Sequence, residues 1–280
     1  MTHTTIEFGH DEDTCEFDGK AASPHESQRI LDVVTPLRER AGERSGFRMV
    51  SQNNFQSNIG LGASASGFAA LAVASAKALG LDLGLEQISR YARRGAGSAS
   101  RAVTGGFSLW YAGRDDESSY STQIASSKQL DMGIVAALVP AYKSTEDAHR
   151  SVISSPFFRA RLEYMEGAIP QMMGAIRSRS FEQIGKLAEL DTLLLHGITM
   201  TGVDELFLWR PETVSIILEV KRMRKEGLEC YFSIDTGATV YINSRLQDSS
   251  EVARRIDALG IRVLKCHVGD EATVVGDHLF

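Results

Sequence analysis

A chain of 280 residues, 43% of them hydrophobic and 24% charged, holds apolar material enough for one large domain or two of ordinary size. Its formal net charge of −6 supplies no concentrated basic face, which argues against a nucleic-acid partner. The longest apolar run, residues 67–81, is mostly alanine, is broken by Ser75 and Lys77 and is too short to span a bilayer, so no membrane partner is expected.

In chain order, TTIEF at 4–8 and CEFDG at 15–19 read as two strands joined by an acidic turn. Residues 26–41 space Ile30, Val33, Val34 and Leu37 as a helical stripe, with Pro36 marking a kink or a boundary. FRMVSQNNF at 47–55 is extended. GFAALAVASAKALG at 67–80 is a helix closing at Gly80, and LEQISRYARRG is a second one closing at Gly95. A small-residue loop, GAGSASRAVTGG at 95–106, feeds the strand FSLWYAG, and DMGIVAALV at 131–139 reads as a central strand.

Several helices are expected from about 144 to 193, with Pro170 at the first turn of one of them. Pro211 then opens PETVSIILEVKRMRKEG, which closes at Gly227. ECYFSI, the turn DTGA and TVYIN form strand, turn and strand. The capped helix SSEVARRIDALG and the strand IRVLKCHV follow. The last eighty residues thus suggest helices layered on an antiparallel sheet in the ferredoxin-like manner. The domain boundary is expected at 143/144, giving lobes of 1–143 and 144–280. The basic runs RYARR and KRMRK read as solvated helix faces. Cys15, Cys230 and Cys266 are widely spaced, offer no metal-ligand spacing, and with the polar, acidic opening point to a reducing, cytoplasmic setting.

Two glycine-serine loops carry the candidate chemistry. QNNFQSNIGLGASASG at 52–67 lacks the Walker lysine and does not fit the dinucleotide fingerprint. Its glycines allow backbone amides to converge near the start of a helix, with Ser64 and Ser66 adding hydroxyls, which is an anion cradle. The same small residues equally serve close helix packing. The second loop repeats the pattern with Gly95, Gly97, Ser98 and Ser100, then adds Arg101, whose guanidinium can hold a phosphate or carboxylate through two parallel bonds.

Asp235, in SIDTGAT at the end of an apolar strand, has two readings. It either accepts amides from its own turn or aligns and deprotonates a hydroxyl. A single DTG without a second copy does not make an aspartic protease. His196, in LLLHGIT, reads as a satisfied, half-buried histidine, and Trp110 and Trp209 as core or interface residues.

Taken together and in order, these motifs resemble one family. NNFQSNIGLGASASGFAALA resembles the phosphate-loop segment of the diphosphomevalonate decarboxylases of the GHMP kinase superfamily, and GAGSASRAVTGGFSLWYAG resembles their second motif. SSPFFRARLE, the LLLHGIT region and CYFSIDTGATVYI continue the likeness, which covers nearly the whole chain from about residue 4. The resemblance implies an α+β GHMP kinase fold, with a lobe like ribosomal protein S5 domain 2 and a ferredoxin-like C-terminal lobe. It also implies ATP with Mg2+ as cofactors and a phosphorylated mevalonate as substrate. Gly60, Gly62, Ser64 and Ser66 would then cradle the ATP phosphates, with Ser64 near the metal. Asn54, Ser98 and Arg101 would hold the substrate, and Asp235 and Arg101 would be catalytic. In this chemistry ATP phosphorylates a tertiary alcohol, phosphate departs, and loss of carbon dioxide leaves an alkene. A homodimer is expected from the same likeness.

The sequence also departs from that family. Ala63 and Ala96 stand where many members carry serine. Thr236 and Ala238 make a turn that resembles archaeal relatives acting on monophosphorylated or differently phosphorylated mevalonates. The family's opening segment, with a lysine-tyrosine-tryptophan-glycine-lysine run and a polar substrate loop, has no counterpart here. On that ground a sheet edge is expected without its neighbour, and catalysis is expected to be weak unless another element fills the gap. A kinase of the same fold that does not decarboxylate and a non-catalytic relative stay open as alternatives.

Overall fold

The protein is described here as a computed structural model covering residues 1–55, 60–140 and 150–280. Part of the first glycine-serine loop and the helix start expected near residue 144 lie outside the described residues. The chain divides into two units, one of Met1–Ser126 with Gly269–Phe280 and one of Ser127–Val268.

The first unit opens with strand β1 (Thr2–His10), β2 (Thr14–Phe17) and the short β3 (Lys20–Ala21). Helix α1 (Pro24–Ala41) starts on a capping box in which Ser23 and Glu26 satisfy each other's backbone amides. Pro36 sits inside this helix without ending it. Its ring forgoes one bond, to the carbonyl of Asp32, while buried Ile30, Val33, Val34 and Leu37 hold the turns on both sides. Strand β4 (Gly46–Asn53) pairs antiparallel with β1, from Thr2↔Asn53 to Phe8↔Phe47, and runs parallel to β2. The sheet order is β1-β4-β2-β3, so β1 is an outer strand.

Helix α2 (Ala63–Ala78) and helix α3 (Leu85–Gly95) pack with α1 on this sheet through a core that includes Phe47, Met49, Phe68, Leu71 and Ile88. The small-residue loop contains a short helix, α4 (Ala99–Thr104), and the chain then forms the hairpin β5 (Phe107–Trp110) and β6 (Ser121–Ala125). Residues 269–280 return to this unit. Ala272 N–H donates to the Val103 carbonyl at 3.0 Å, and Gly106 N–H donates to that of Gly269 at 2.8 Å. The crossing is close at Gly105, where a Cβ would lie 2.2 Å from the Glu271 nitrogen.

The second unit begins with β7 (Gly133–Ala137) and continues through α5 (Phe158–Arg177), α6 (Phe181–Met200), α7 (Pro211–Lys225), β8 (Cys230–Ser233), β9 (Val240–Ser244), α8 (Ser249–Asp257) and β10 (Val263–His267). The antiparallel sheet has the order β10-β7-β9-β8, the arrangement of a ferredoxin-like β-α-β-β-α-β unit. β7 is central, as its unbroken apolar run implies. Its hydrogen bonds go to β9 and β10, so this strand belongs with the C-terminal elements although the sequence reading grouped it with the N-terminal ones. One sheet face, with Val135, Phe232 and Ile242, meets Ile216, Val220 and Met223 of α7 and Val252 and Ile256 of α8. Pro170, expected in a first turn, lies in the interior of α5. There it costs a bond to the Glu166 carbonyl but does not end a helix that packs along α6.

The basic runs carry ion pairs. Asp116 takes Arg90, Arg93 and Arg94, and Glu189 takes Arg224. Among the described residues, no helix is long and apolar enough to cross a membrane.

Candidate active site

Among the described residues, no side chain caps the first amides of helix α2. Gly60 and Gly62 have φ of 86° and 72°, a left-handed conformation that costs a residue with a Cβ roughly 1–2 kcal/mol. Gly62 is the N-cap and offers no side-chain oxygen, and no Asp or Glu occupies the first turn. The first bond of the helix is Ser66 N–H to Gly62 C=O at 3.1 Å, so the amides of Ala63, Ser64 and Ala65 have no intrahelical acceptor. Gly62 and Ser64 are exposed. A helix start that draws no anion and no cap from the described residues suits an anion from outside.

Ser66 is held by the fold instead. Thr2 donates its hydroxyl to Asn53 Oδ1 at 2.6 Å, and Ser66 Oγ lies 2.6 Å from Thr2 Oγ1 and 3.2 Å from the Ala63 carbonyl. Its hydroxyl ties α2 to the β1–β4 pair. Asn54 follows β4, is exposed, and donates its backbone N–H to the Met1 carbonyl at 3.1 Å.

The second loop divides its labour. Gly95 and Gly97 serve packing: a Cβ on Gly95 would lie 2.2 Å from the Phe68 ring, and one on Gly97 2.9 Å from Trp110. Ser100 is buried, with its hydroxyl donating to the Gly97 carbonyl at 2.8 Å and accepting from Ser121 at 2.9 Å. Ser98, the N-cap of α4, and Arg101 within it are by contrast both exposed, at i, i+3 spacing. The Arg101 guanidinium lies 6.0 Å from the centre of the Trp110 ring, and among the described residues no carboxylate pairs with it. Trp110 thus neighbours both Gly97 and the exposed arginine.

In the second unit Asp235 is exposed at the turn after β8, and the turn around it is pinned at several points. Ile234 N–H donates to Thr192 Oγ1 at 3.1 Å, and His196 Nε2 donates to the Asp235 carbonyl at 2.9 Å. Thr213, fully buried on α7, donates its hydroxyl to the Ala238 carbonyl at 2.9 Å. Val139 N–H donates to Thr239 Oγ1 at 3.2 Å. The histidine is 1% exposed, more deeply buried than its sequence context suggested, and its ring packs 5.2 Å from that of Trp209. Asp235 borders a groove of about 530 Å³ on the sheet face turned from α7 and α8, with Ser233, Tyr241 and Asn243 on the strands and Met165 and Leu187 on the helices. Burial, and secondarily the Asp235 charge, pushes the Tyr241 hydroxyl up to about 12.

The sequence reading named Asp235 and missed what anchors it. Thr192 and His196 stand four residues apart on one helix, and that spacing was the available signal.

Each unit matches a family profile. One, described as the diphosphomevalonate decarboxylase-like N-terminal domain, matches residues 1–121, and the other, the mevalonate 5-diphosphate decarboxylase C-terminal domain, matches residues 134–262. The phosphomevalonate decarboxylase of Haloferax volcanii is 40% identical over 279 residues, 99% of this chain and 86% of that protein. The chain belongs to the diphosphomevalonate/phosphomevalonate decarboxylase family. The diphosphomevalonate decarboxylase of Debaryomyces hansenii is 29% identical over 217 residues, which is 74% of this chain and 56% of that protein, so the chain spans about half the length of this fungal relative. A solved complex of MDDEF with MVAPP, AMPPCP and magnesium has a TM-score of 0.87 at 27% identity, covering 97% of this chain and 85% of that one. The α+β architecture is therefore that of the GHMP kinase fold to which these decarboxylases belong.

Proposed function

We propose that this chain catalyses the ATP- and Mg2+-dependent decarboxylation of a phosphorylated mevalonate, with mevalonate 5-phosphate as its substrate. The observation that carries the reading is the 40% identity to a phosphomevalonate decarboxylase along 99% of the chain, which includes both glycine-serine loops and the Asp235 turn.

The residues fit the groups that this reaction needs. The uncapped start of α2, with Gly60, Gly62 and exposed Ser64, suits the triphosphate of ATP. Among the described residues there is no group of three or more His, Cys, Asp or Glu able to hold a metal. The Mg2+ would therefore ride on the nucleotide phosphates, with the Ser64 hydroxyl beside it, and would neutralise charge on the transferring phosphoryl group. Ser66, engaged with Thr2, supports the helix rather than the nucleotide. Arg101 and Ser98 suit an anionic substrate, with Arg101 fixing the carboxylate whose electrons become the double bond. Asn54 follows β4 directly, ahead in sequence of the loop that the reading assigns to the nucleotide. Asp235 aligns the tertiary hydroxyl and takes its proton as phosphate is transferred. Hydroxide leaves poorly and phosphate leaves well, which is why the alcohol is phosphorylated before carbon dioxide departs.

The cysteines are free thiols, which suits a reducing cytoplasm, and a homodimer is the expected assembly, checked by sedimentation. The deciding experiment supplies ATP, Mg2+ and carboxyl-labelled mevalonate 5-phosphate or 5-diphosphate to the purified chain. ATP-dependent release of labelled carbon dioxide, faster with the monophosphate, supports the reading. ADP formation without carbon dioxide identifies a kinase, and failure to bind ATP identifies a non-catalytic relative.

A further inference from the structure

Asp235 is exposed, yet the peptide that carries it is gripped from one helix. Thr192 and His196 are four residues apart on α6 and so share a face. They bond consecutive residues of the turn: Thr192 Oγ1 accepts the Ile234 N–H at 3.1 Å, and His196 Nε2 donates to the Asp235 carbonyl at 2.9 Å. Both side chains are buried, at 3% and 1% exposure. One contact takes the donor and the other the acceptor, so the strand end can neither slide nor rotate without breaking one of them. Buried donors and acceptors such as those of Thr192 and His196 are costly to leave without partners. The histidine is itself immobilised, with its ring against Trp209.

We infer that His196, acting with Thr192, is a positioning residue that fixes the Asp235 carboxylate for proton abstraction. The inference rests on the decarboxylase reading, and it assigns His196 a task beyond filling the core. The chemistry asks for an Nε2–H donor aimed at one carbonyl. An aromatic ring without a donor at position 196 would preserve packing against Trp209 but free the Asp235 peptide. A shift of about 1 Å in a catalytic group is enough to cost about a hundredfold in rate.

The test compares H196F, which keeps a ring and loses the donor, with H196Q, whose side-chain amide can reach the same carbonyl. Three readouts are taken: kcat, KM for ATP, and amide hydrogen exchange in a peptide spanning residues 230–240. H196F is expected to lower kcat about a hundredfold with KM for ATP within twofold. It should also speed exchange in that peptide at least tenfold while leaving the rest of the second unit protected. H196Q is expected to restore kcat to within about fivefold of the wild type. Two results overturn the inference: a folded H196F with wild-type kcat and protection, or losses shared equally by H196F and H196Q with exchange rising throughout the unit. If H196F does not fold, T192V removes the other contact and is judged by the same local exchange and kcat criteria. If the wild-type chain binds ATP but releases no carbon dioxide, the decarboxylase reading fails, and local exchange alone decides whether the clamp exists.

Discussion

Replacing Gly95 by alanine tests whether the second glycine-serine loop is shaped by packing. The added Cβ would meet three atoms of the Phe68 ring at 2.2, 2.5 and 2.8 Å, all shorter than a relaxed carbon–carbon contact. The ring is 6% exposed and cannot swing into water. Arg29 lies over it, 4.7 Å from the ring centre, and is bonded through Nε to the Gly95 carbonyl at 2.9 Å. Overpacking of this kind costs about 1–3 kcal/mol, and the better helix propensity of alanine returns up to about 1 kcal/mol. A net loss of about 1–2 kcal/mol is expected in the first unit. Each unit holds one of the two tryptophans, so in a W209F background the fluorescence of Trp110 reports urea unfolding of the first unit alone. The cycle is completed with F68L and the double variant, where the Gly95→Ala cost should fall below about 0.5 kcal/mol because the smaller side chain vacates the contested space. Equal costs in both backgrounds, or no cost at all, would refute the packing argument.

Three further outcomes are expected. Asp235→Asn should reduce carbon dioxide release by about two to four orders of magnitude while leaving the affinity for an ATP analogue, measured calorimetrically, within about twofold; full turnover would remove Asp235 from the chemistry. Arg101→Lys keeps the charge and loses the planar fork, so KM for the phosphorylated substrate should rise about tenfold or more with the fold intact by circular dichroism; an unchanged KM places the substrate elsewhere. Burial is the main reason that the thiols of Cys15 and Cys230 are pushed up to about 11, whereas thiols in an unfolded chain ionise near about 8.5. The folded state therefore keeps protons that the unfolded state releases. This contribution to stability is complete below about pH 8.5 and is lost as pH climbs toward 11. Urea midpoints at pH 8 and pH 10 should fall less steeply in a C15A/C230A variant, and identical slopes would contradict the assignment.

Much of the fold was legible because local signals agreed with tertiary ones. The stripe Ile30–Leu37, the alanine-rich run after Gly62 and Pro211 at a helix start each predict an element that forms. Neither proline ends its helix, although a boundary is one of the two readings of Pro36 and a first turn is the reading of Pro170. A missing N–H is a local cost, and long helices packed on both sides of it override that cost. The place of β7 was hidden because strand pairing is non-local: an apolar run announces a central strand but not its neighbours. Within the candidate site, residue types identified Gly62, Ser64, Arg101 and Asp235 as chemically suited. They could not separate Ser64 from Ser66, since only the approach of Thr2 to the latter engages it in the fold. Nor could they show that Gly95 and Gly97 are spent on Phe68 and Trp110.

The second unit is one uninterrupted stretch, Ser127–Val268, while the first is completed only by Gly269–Phe280. During synthesis the core of the earlier unit, drawn from Ile6 to Val103, is out of the ribosome first, but its Val103–Ala272 and Gly106–Gly269 bonds must wait for the tail. Ribosome-bound nascent chains halted with residue 268 already outside the exit tunnel should accordingly resist protease across the later half and show extra cleavage in the earlier one only around residues 103–106.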